Sequence, residues 1–168
     1  INPATEEVLG QASKATPQDV SEALNAAKNG LEVWKKTPPW QRSYIIRKIA
    51  DKMREKQDVL AKWMTLEVGK PFAEAKGEVG AAADIFEWNA EETKRIYGQT
   101  VESRFEDTRV HVYYQPVGVV AALTPWNFPL VLSSRKISTS LAAGCSVIIK
   151  PDTITPGTVM ELVDICRE

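Results

Sequence analysis

Pro116-Val117-Gly118-Val119-Val120-Ala121-Ala122-Leu123 is one continuous apolar run, and Ser146-Val147-Ile148-Ile149 is a second. Between them, Ser133 to Ala143 reads as a helix built from small residues. A short apolar run without alternation is the pattern of a strand buried on both faces of a parallel sheet. Strand, helix, strand is a βαβ unit, which places this part of the chain in the α/β class with a nucleotide-binding type of sheet. In such sheets ligands lie beyond the C-terminal ends of the strands. The segments after Leu123 and Ile149 are therefore where chemistry is expected.

Upstream the period is helical. Thr16-Pro17-Gln18-Asp19 offers an N-cap, a proline at the first helical position and an acid at N3. Val20, Leu24, Ala27, Leu31 and Trp34 then form one stripe that predicts core packing, ended by Thr37-Pro38-Pro39. A second helix is predicted from about Trp40 to Glu67, with Ile45, Ile49, Met53, Leu60, Trp63 and Met64 inward and Arg42, Lys48, Lys52, Glu55 and Lys56 outward. Gly69-Lys70-Pro71 ends it. A third runs from Pro71 to about Tyr97 on Phe72, Ala75, Val79, Ala82, Phe86 and Ile96, with Gly98 as its C-terminal cap. Arg109 to Tyr114 is short, β-branched and aromatic, hence a strand. Downstream, Thr155-Pro156 caps a last helix whose apolar face is Val159, Leu162, Val163 and Cys166. No Gly, Asn or Pro stops that helix before Glu168, so a fragment of something longer is expected.

Composition narrows the classes. The 168 residues suit one or two domains, and 43% hydrophobic with 26% charged residues excludes disorder and low complexity. Twenty-one Lys plus Arg against 22 Asp plus Glu leave a net charge of -1, with no excess to draw nucleic acid or an anionic membrane. The two cysteines are too few for a disulfide framework and fit a reducing compartment. Ile1-Asn2-Pro3-Ala4-Thr5 has neither a basic nor an apolar leader region, and the expected location is cytoplasmic.

Two loops stand at strand ends. Thr124-Pro125-Trp126-Asn127-Phe128-Pro129 is either a ligand loop or a proline-rich turn whose aromatics pack on the sheet edge and whose Asn127 caps the next helix. Lys150 in Lys150-Pro151-Asp152-Thr153 either meets a phosphate or ribose or is a solvated charge. Cys145, at the entry to a buried strand, reads as a small hydrophobe, and Cys166 as core. His111, the sole histidine, has no second histidine or cysteine cluster beside it, so a surface or pairing role and no metal site are expected.

Several motifs together carry a resemblance. Asn2-Pro3-Ala4-Thr5, Glu67-Val68-Gly69-Lys70-Pro71, Pro116-Val117-Gly118-Val119-Val120, Thr124-Pro125-Trp126-Asn127-Phe128-Pro129, Ala142-Ala143-Gly144-Cys145 and Ile149-Lys150-Pro151 occur in the order expected of the aldehyde dehydrogenase superfamily, which this chain resembles over nearly its whole length. The resemblance implies a helical N-terminal region feeding a Rossmann-type cofactor domain, incomplete at the C-terminus. It divides the chain into a mainly helical part at 1–108, an oligomerisation-type strand at 109–116 and the first βαβ portion of the cofactor domain at 117–168, with the catalytic domain absent. The implied activity is NAD(P)-dependent oxidation of an aldehyde through a cysteine thiohemiacetal, hydride transfer and thioester hydrolysis. Asn127 matches the oxyanion-hole asparagine. Lys150 matches the lysine on the adenosine ribose, Thr124, Pro125 and Trp126 the lining of the cofactor groove, and Pro151, Asp152 and Thr153 the turn beyond it. By resemblance the nucleophilic cysteine and the general-base glutamate lie beyond Glu168.

Thr153 departs from the pattern, since NAD-preferring relatives commonly place a glutamate there for the ribose hydroxyls. Without that acid a 2′-phosphate is not repelled, so NADP is slightly favoured over NAD, with Asp152 able to restore some repulsion if it turns inward. Arg135-Lys136 and Ala-Ala-Gly-Cys resemble the succinate-semialdehyde dehydrogenase branch, in which this arginine meets a substrate carboxylate. A guanidinium forks onto a distal carboxylate bidentately. The alternative is a helix-surface arginine paired with a nearby acid. The neighbours Leu130 to Ser134 and Ile137 to Ser140 depart from that branch. Two other functions remain open: a non-catalytic dinucleotide-binding module, and an assembly role in which the strand edge at Arg109 to Pro116 is covered by another subunit, giving a dimer or tetramer.

Overall fold

The computed structural model describes residues 1–168. In chain order the elements are α1 (Pro17–Trp34), α2 (Pro39–Glu55), α3 (Gln57–Val68), α4 (Phe72–Thr93), β1 (Gln99–Glu102), β2 (Arg109–Val112), β3 (Val119–Leu123), α5 (Pro129–Ala142), β4 (Ser146–Lys150) and α6 (Pro156–Arg167). The βαβ unit is present: β3 and β4 pair in parallel, from Val119 opposite Ser146 to Leu123 opposite Lys150, with α5 between them in sequence. Ile46, Met53, Leu60, Met64, Val79 and Phe86 of α2, α3 and α4 form one fully buried core with Leu130 of α5 and Leu162 of α6.

The start of α1 is as read. Thr16 Oγ1 accepts from the N–H of Asp19 at 3.3 Å, and the Asp19 carboxylate accepts from the N–H of Thr16 at 2.7 Å, closing a capping box. The N–H and then the hydroxyl of Thr16, both donating to the Asp19 carboxylate, hold that carboxyl below its ordinary value. The stripe on α1 does not become core, because no residue of the helix is buried and Val20 and Leu24 lie open to solvent. Geometry gives the reason. The 18-residue α1 is about 27 Å long at 1.5 Å per residue, whereas the five-residue β3 covers about 17 Å at 3.3 Å per residue. Only the C-terminal end of the stripe docks, with Trp34 against the core and its indole N–H donating to the carbonyl of Leu141 at 2.8 Å.

The predicted second helix is broken at Lys56, whose backbone leaves helical geometry at φ -95, ψ 20. No Pro or Gly marks the break. Met53 before it and Leu60 after it are both buried in the same core, so the apolar period runs through undisturbed. Arg42, read as outward, is 8% exposed. It lies four residues before Ile46 on the buried stripe and donates to the carbonyl of Thr37 at 2.9 Å. Gly69 ends α3 in the left-handed conformation, φ 79, as its position suggests.

α4 stops at Thr93, and its cap is Lys94, not Gly98. The N–H groups of Lys94 and Arg95 close back onto the carbonyls of Glu91 and Glu92, so Ile96 falls outside the helix and is exposed. Phe72 is exposed as well. Gly98 has a different use, since a Cβ there would lie 2.5 Å from the carbonyl oxygen of Val112. Strand β2 ends at Val112, short of the expected Pro116, and pairs antiparallel with β1, which the sequence pattern does not announce. Both strands of this ribbon are exposed almost throughout. His111 has the pairing role expected of it, meeting Thr100 across the ribbon with Nδ1 3.1 Å from Oγ1.

β3 is not buried on both faces. Only Ala122 of the strand is buried, while Ala121 and Leu123, whose side chains point to the opposite face, are exposed, so that face is uncovered at the end of the strand. α5 begins at Pro129 and not at Ser133, using the proline at its first turn. Thr155 precedes α6 but its side chain makes no capping bond. That duty falls to an acid from another helix.

Candidate functional site

Parallel register brings the two loops together. The N–H of Thr124 donates to the carbonyl of Lys150 at 3.3 Å, extending the ladder one step past Leu123. Thr124 is buried, and its Oγ1 accepts from the hydroxyl of Ser133 at 3.3 Å, which ties the end of β3 to the second turn of α5. Pro125, Trp126, Asn127 and Phe128 then stand exposed beyond the strand ends. The aromatics do not bury on the sheet edge, since Trp126 is 49% and Phe128 51% exposed.

Asn127 does not cap α5. Phe128 holds the N-cap position with no side-chain bond, and the Asn127 amide makes no hydrogen bond within the chain. Its backbone, by contrast, is fastened: Lys70 Nζ donates to the Asn127 carbonyl at 3.3 Å and lies 4.4 Å from the centroid of the Phe128 ring. Lys70 is ion-paired with Glu78. The other oxygen of Glu78 accepts from the N–H groups of Leu130 at 3.0 Å and Val131 at 3.2 Å, satisfying the first turn of α5. The loop is thus fixed at both ends while its amide side chain is left available.

Arg135 follows on α5. It faces a cleft with Phe128 and Val131 on its own side and Gly77 and Ala81 of α4 opposite. Arg135 is exposed on the helix surface and Glu74 and Glu78 line the same cleft, but no carboxylate lies within 4.0 Å of its guanidinium. Lys150 is likewise exposed and free of an acidic partner. Asp152 is occupied locally: its Oδ1 accepts from the N–H of Ile154 at 3.2 Å, an Asx turn that keeps the carboxylate in its own loop. Pro151 is half-buried and Thr153 exposed beside it. Free cation, neutral hydroxyl and accessible backbone at the ends of two parallel strands are a donor set that fits the ribose and phosphate of a dinucleotide.

The cysteines lie outside this cluster. Cys145 is 2% exposed at the entry to β4, and burial pushes the Cys166 thiol up to about 12, which keeps it protonated and inert. No group of three or more His, Cys, Asp or Glu side chains suited to a metal ion occurs.

The sequence reading missed Glu67 and Glu78 as functional acids, and Lys70 as more than a helix-ending residue. A signal existed. Glu78 falls three residues after Ala75 and four before Ala82, and Glu67 three after Met64, so each acid interrupts a buried stripe at helical spacing.

Comparisons with known proteins agree with this geometry. Residues 1–168 match the family model described as Aldehyde dehydrogenase family. The chain is 46% identical over 166 residues to the glutarate-semialdehyde dehydrogenase of Pseudomonas putida, covering 99% of this chain and 35% of that protein. It is 44% identical over 164 residues to the NADP(+) succinate-semialdehyde dehydrogenase GabD of Escherichia coli, covering 98% of this chain and 34% of that one. Among solved structures, an NADP-dependent enzyme of E. coli superposes with a TM-score of 0.97 at 44% identity, over 99% of this chain and 34% of its own. The chain therefore spans about a third of the length of the relatives it matches.

Proposed function

The chain belongs to the aldehyde dehydrogenase family, and on that premise we propose that the intact protein oxidises an aldehyde bearing a distal carboxylate to the corresponding acid, with NADP or NAD as acceptor. The observation that carries this reading is the pairing of a free amide with a free guanidinium. Asn127 offers its amide on a loop with an anchored backbone, and Arg135, eight residues on, faces a cleft lined also by Phe128, Glu74 and Glu78, with neither acid within ion-pair distance of it.

Asn127 acts as an oxyanion donor. When a thiolate adds to the substrate carbonyl, the oxygen gains negative charge and the side-chain N–H of Asn127 meets it. A pre-set donor of this kind typically contributes about 100- to 1,000-fold in rate. Arg135 takes the far carboxylate in a fork, fixing the aldehyde end near Asn127. Two relatives named for succinate and glutarate semialdehyde, both carboxylate-bearing aldehydes, support that choice of substrate class. No residue of this chain is assigned as the nucleophilic thiol or the general base, since Cys145 is buried at the entry to β4 and the Cys166 thiol stays protonated.

A nicotinamide dinucleotide bound along the ends of β3 and β4 supplies the hydride acceptor. Thr124, Pro125 and Trp126 would line its groove, Lys150 would contact its ribose, and Pro151, Asp152 and Thr153 would form the turn beneath. With Asp152 Oδ1 held in its own Asx turn and Thr153 uncharged, the acid that would repel a 2′-phosphate is missing at position 153, which favours NADP slightly. The bare β1–β2 ribbon, with Tyr113 and Tyr114 also exposed, favours association of subunits as a dimer or tetramer. No helix is long and apolar enough to cross a membrane, both cysteines are free, and a cytoplasmic location follows as part of the same proposal.

The test is steady-state kinetics of the intact protein on succinate and glutarate semialdehydes against unsubstituted aldehydes, with NADP and NAD in turn. Carboxylate-selective turnover is expected. Turnover that ignores the carboxylate, or none with any aldehyde, contradicts the proposal.

A further inference from the structure

The Lys70–Glu78 pair is largely withdrawn from solvent. The Lys70 side chain is 12% exposed and that of Glu78 2%. Desolvating two charges rarely stabilises a fold more than apolar residues of the same volume would, so the pair calls for a use beyond stability. Its contacts supply one. One carboxylate oxygen of Glu78 holds the N–H groups of Leu130 and Val131, and the other holds the Lys70 ammonium. The same ammonium donates to the carbonyl of Asn127 and sits over the ring of Phe128. One ion pair from α4 and the turn before it therefore grips both sides of the loop from which the Asn127 amide projects.

We infer that Lys70 and Glu78 are positioning residues for Asn127, holding its amide where the oxyanion forms. This rests on the reading of Asn127 given above. Neither side chain is a reacting group. Both act through the backbone of residues 127–131, so their removal lets the donor wander, and a displacement of about 1 Å in such a group can lower a rate about 100-fold.

A double-mutant cycle on the intact protein separates this from a general structural role. Lys70→Met is expected to lower kcat about 10- to 100-fold with KM changed by less than about threefold, and Lys70→Arg to restore part of the loss. Asn127→Ala alone is expected to lower kcat about 100- to 1,000-fold. In the Asn127→Ala background Lys70→Met should then cost almost nothing further. If it lowers kcat there by the same factor as in the wild type, the two act independently and the inference is overturned. If Asn127→Ala leaves kcat intact, the oxyanion reading itself fails and the inference falls with it, a distinguishable outcome. Should Lys70→Met not fold, Glu78→Gln, which removes the ion pair but keeps an acceptor for the N–H groups of Leu130 and Val131, is carried through the same cycle and read in the same way.

Discussion

The carboxylate of Glu67 accepts both the backbone N–H of Thr158, at 2.9 Å, and the hydroxyl of Thr158, at 2.8 Å. It also accepts from the N–H of Gly157 at 2.6 Å. An acid on α3 thereby caps α6, a helix without a side-chain cap of its own, and places negative charge at the positive end of its dipole. Gly157 is required by the closeness of this approach, since a Cβ there would lie 2.8 Å from both Glu67 Oε1 and Trp63 Cε3. Glu67→Ala strands those amides in a buried setting and is expected to destabilise the fold by about 1–3 kcal/mol, measured by urea unfolding. Gly157→Ala should lower the same midpoint through the clash.

Acid should weaken the seam between α2 and α4. Arg47 pairs with Glu87 at 2.5 Å and with Glu91, and Arg54 pairs with Glu87 at 2.6 Å. Hydrogen bonds to Arg54 and then Arg47 hold the Glu87 carboxyl below its ordinary 4.5, and bonds to Lys94 and then Arg47 do the same for Glu91. A carboxyl lowered on folding adds stability that is whole above about 4.5 and fades as the pH falls through its folded value. These side chains are solvent-exposed, so the effect is modest and screened by salt. Arg47→Met should make the fall in thermal midpoint between neutral pH and acid shallower than in the wild type, and added salt should narrow the difference.

Local signals account for much of the architecture. The capping box at Thr16 and the left-handed Gly69 end elements where the sequence places them, and two apolar runs announce β3 and β4 as a parallel pair. What stayed hidden is non-local. The break at Lys56 carries no breaker residue, and the end of α4 at Thr93 leaves Gly98 to serve a contact with Val112 that only the folded ribbon creates. At the candidate site Asn127, Arg135 and Lys150 were legible as motif residues. The acids that hold the starts of α5 and α6 were not, because Glu67 reaches Gly157 across 90 residues and Glu78 reaches Leu130 across 52. Charged residues on a helix read as solvated until their place on the apolar stripe is noticed.

Cofactor choice can be moved at one position. Thr153 is exposed two residues ahead of buried Thr155, in the turn after Lys150. Thr153→Glu adds a carboxylate at the position where NAD-preferring relatives are expected to carry one. The ratio of kcat/KM for NADP over NAD should fall roughly tenfold, about 1.4 kcal/mol, with most of the change in the NADP arm.

The most direct measurement is the response of Arg135→Ala to succinate semialdehyde and to butanal, two aldehydes of equal carbon count that differ in the distal carboxylate. A charge-assisted fork is worth about 1.5–3 kcal/mol. For succinate semialdehyde kcat/KM should therefore fall about 10- to 150-fold in the variant, while butanal stays within a small factor of the wild type. Equal losses on both aldehydes, or no loss on either, would contradict the assignment of Arg135 to the substrate carboxylate and the substrate class built on it.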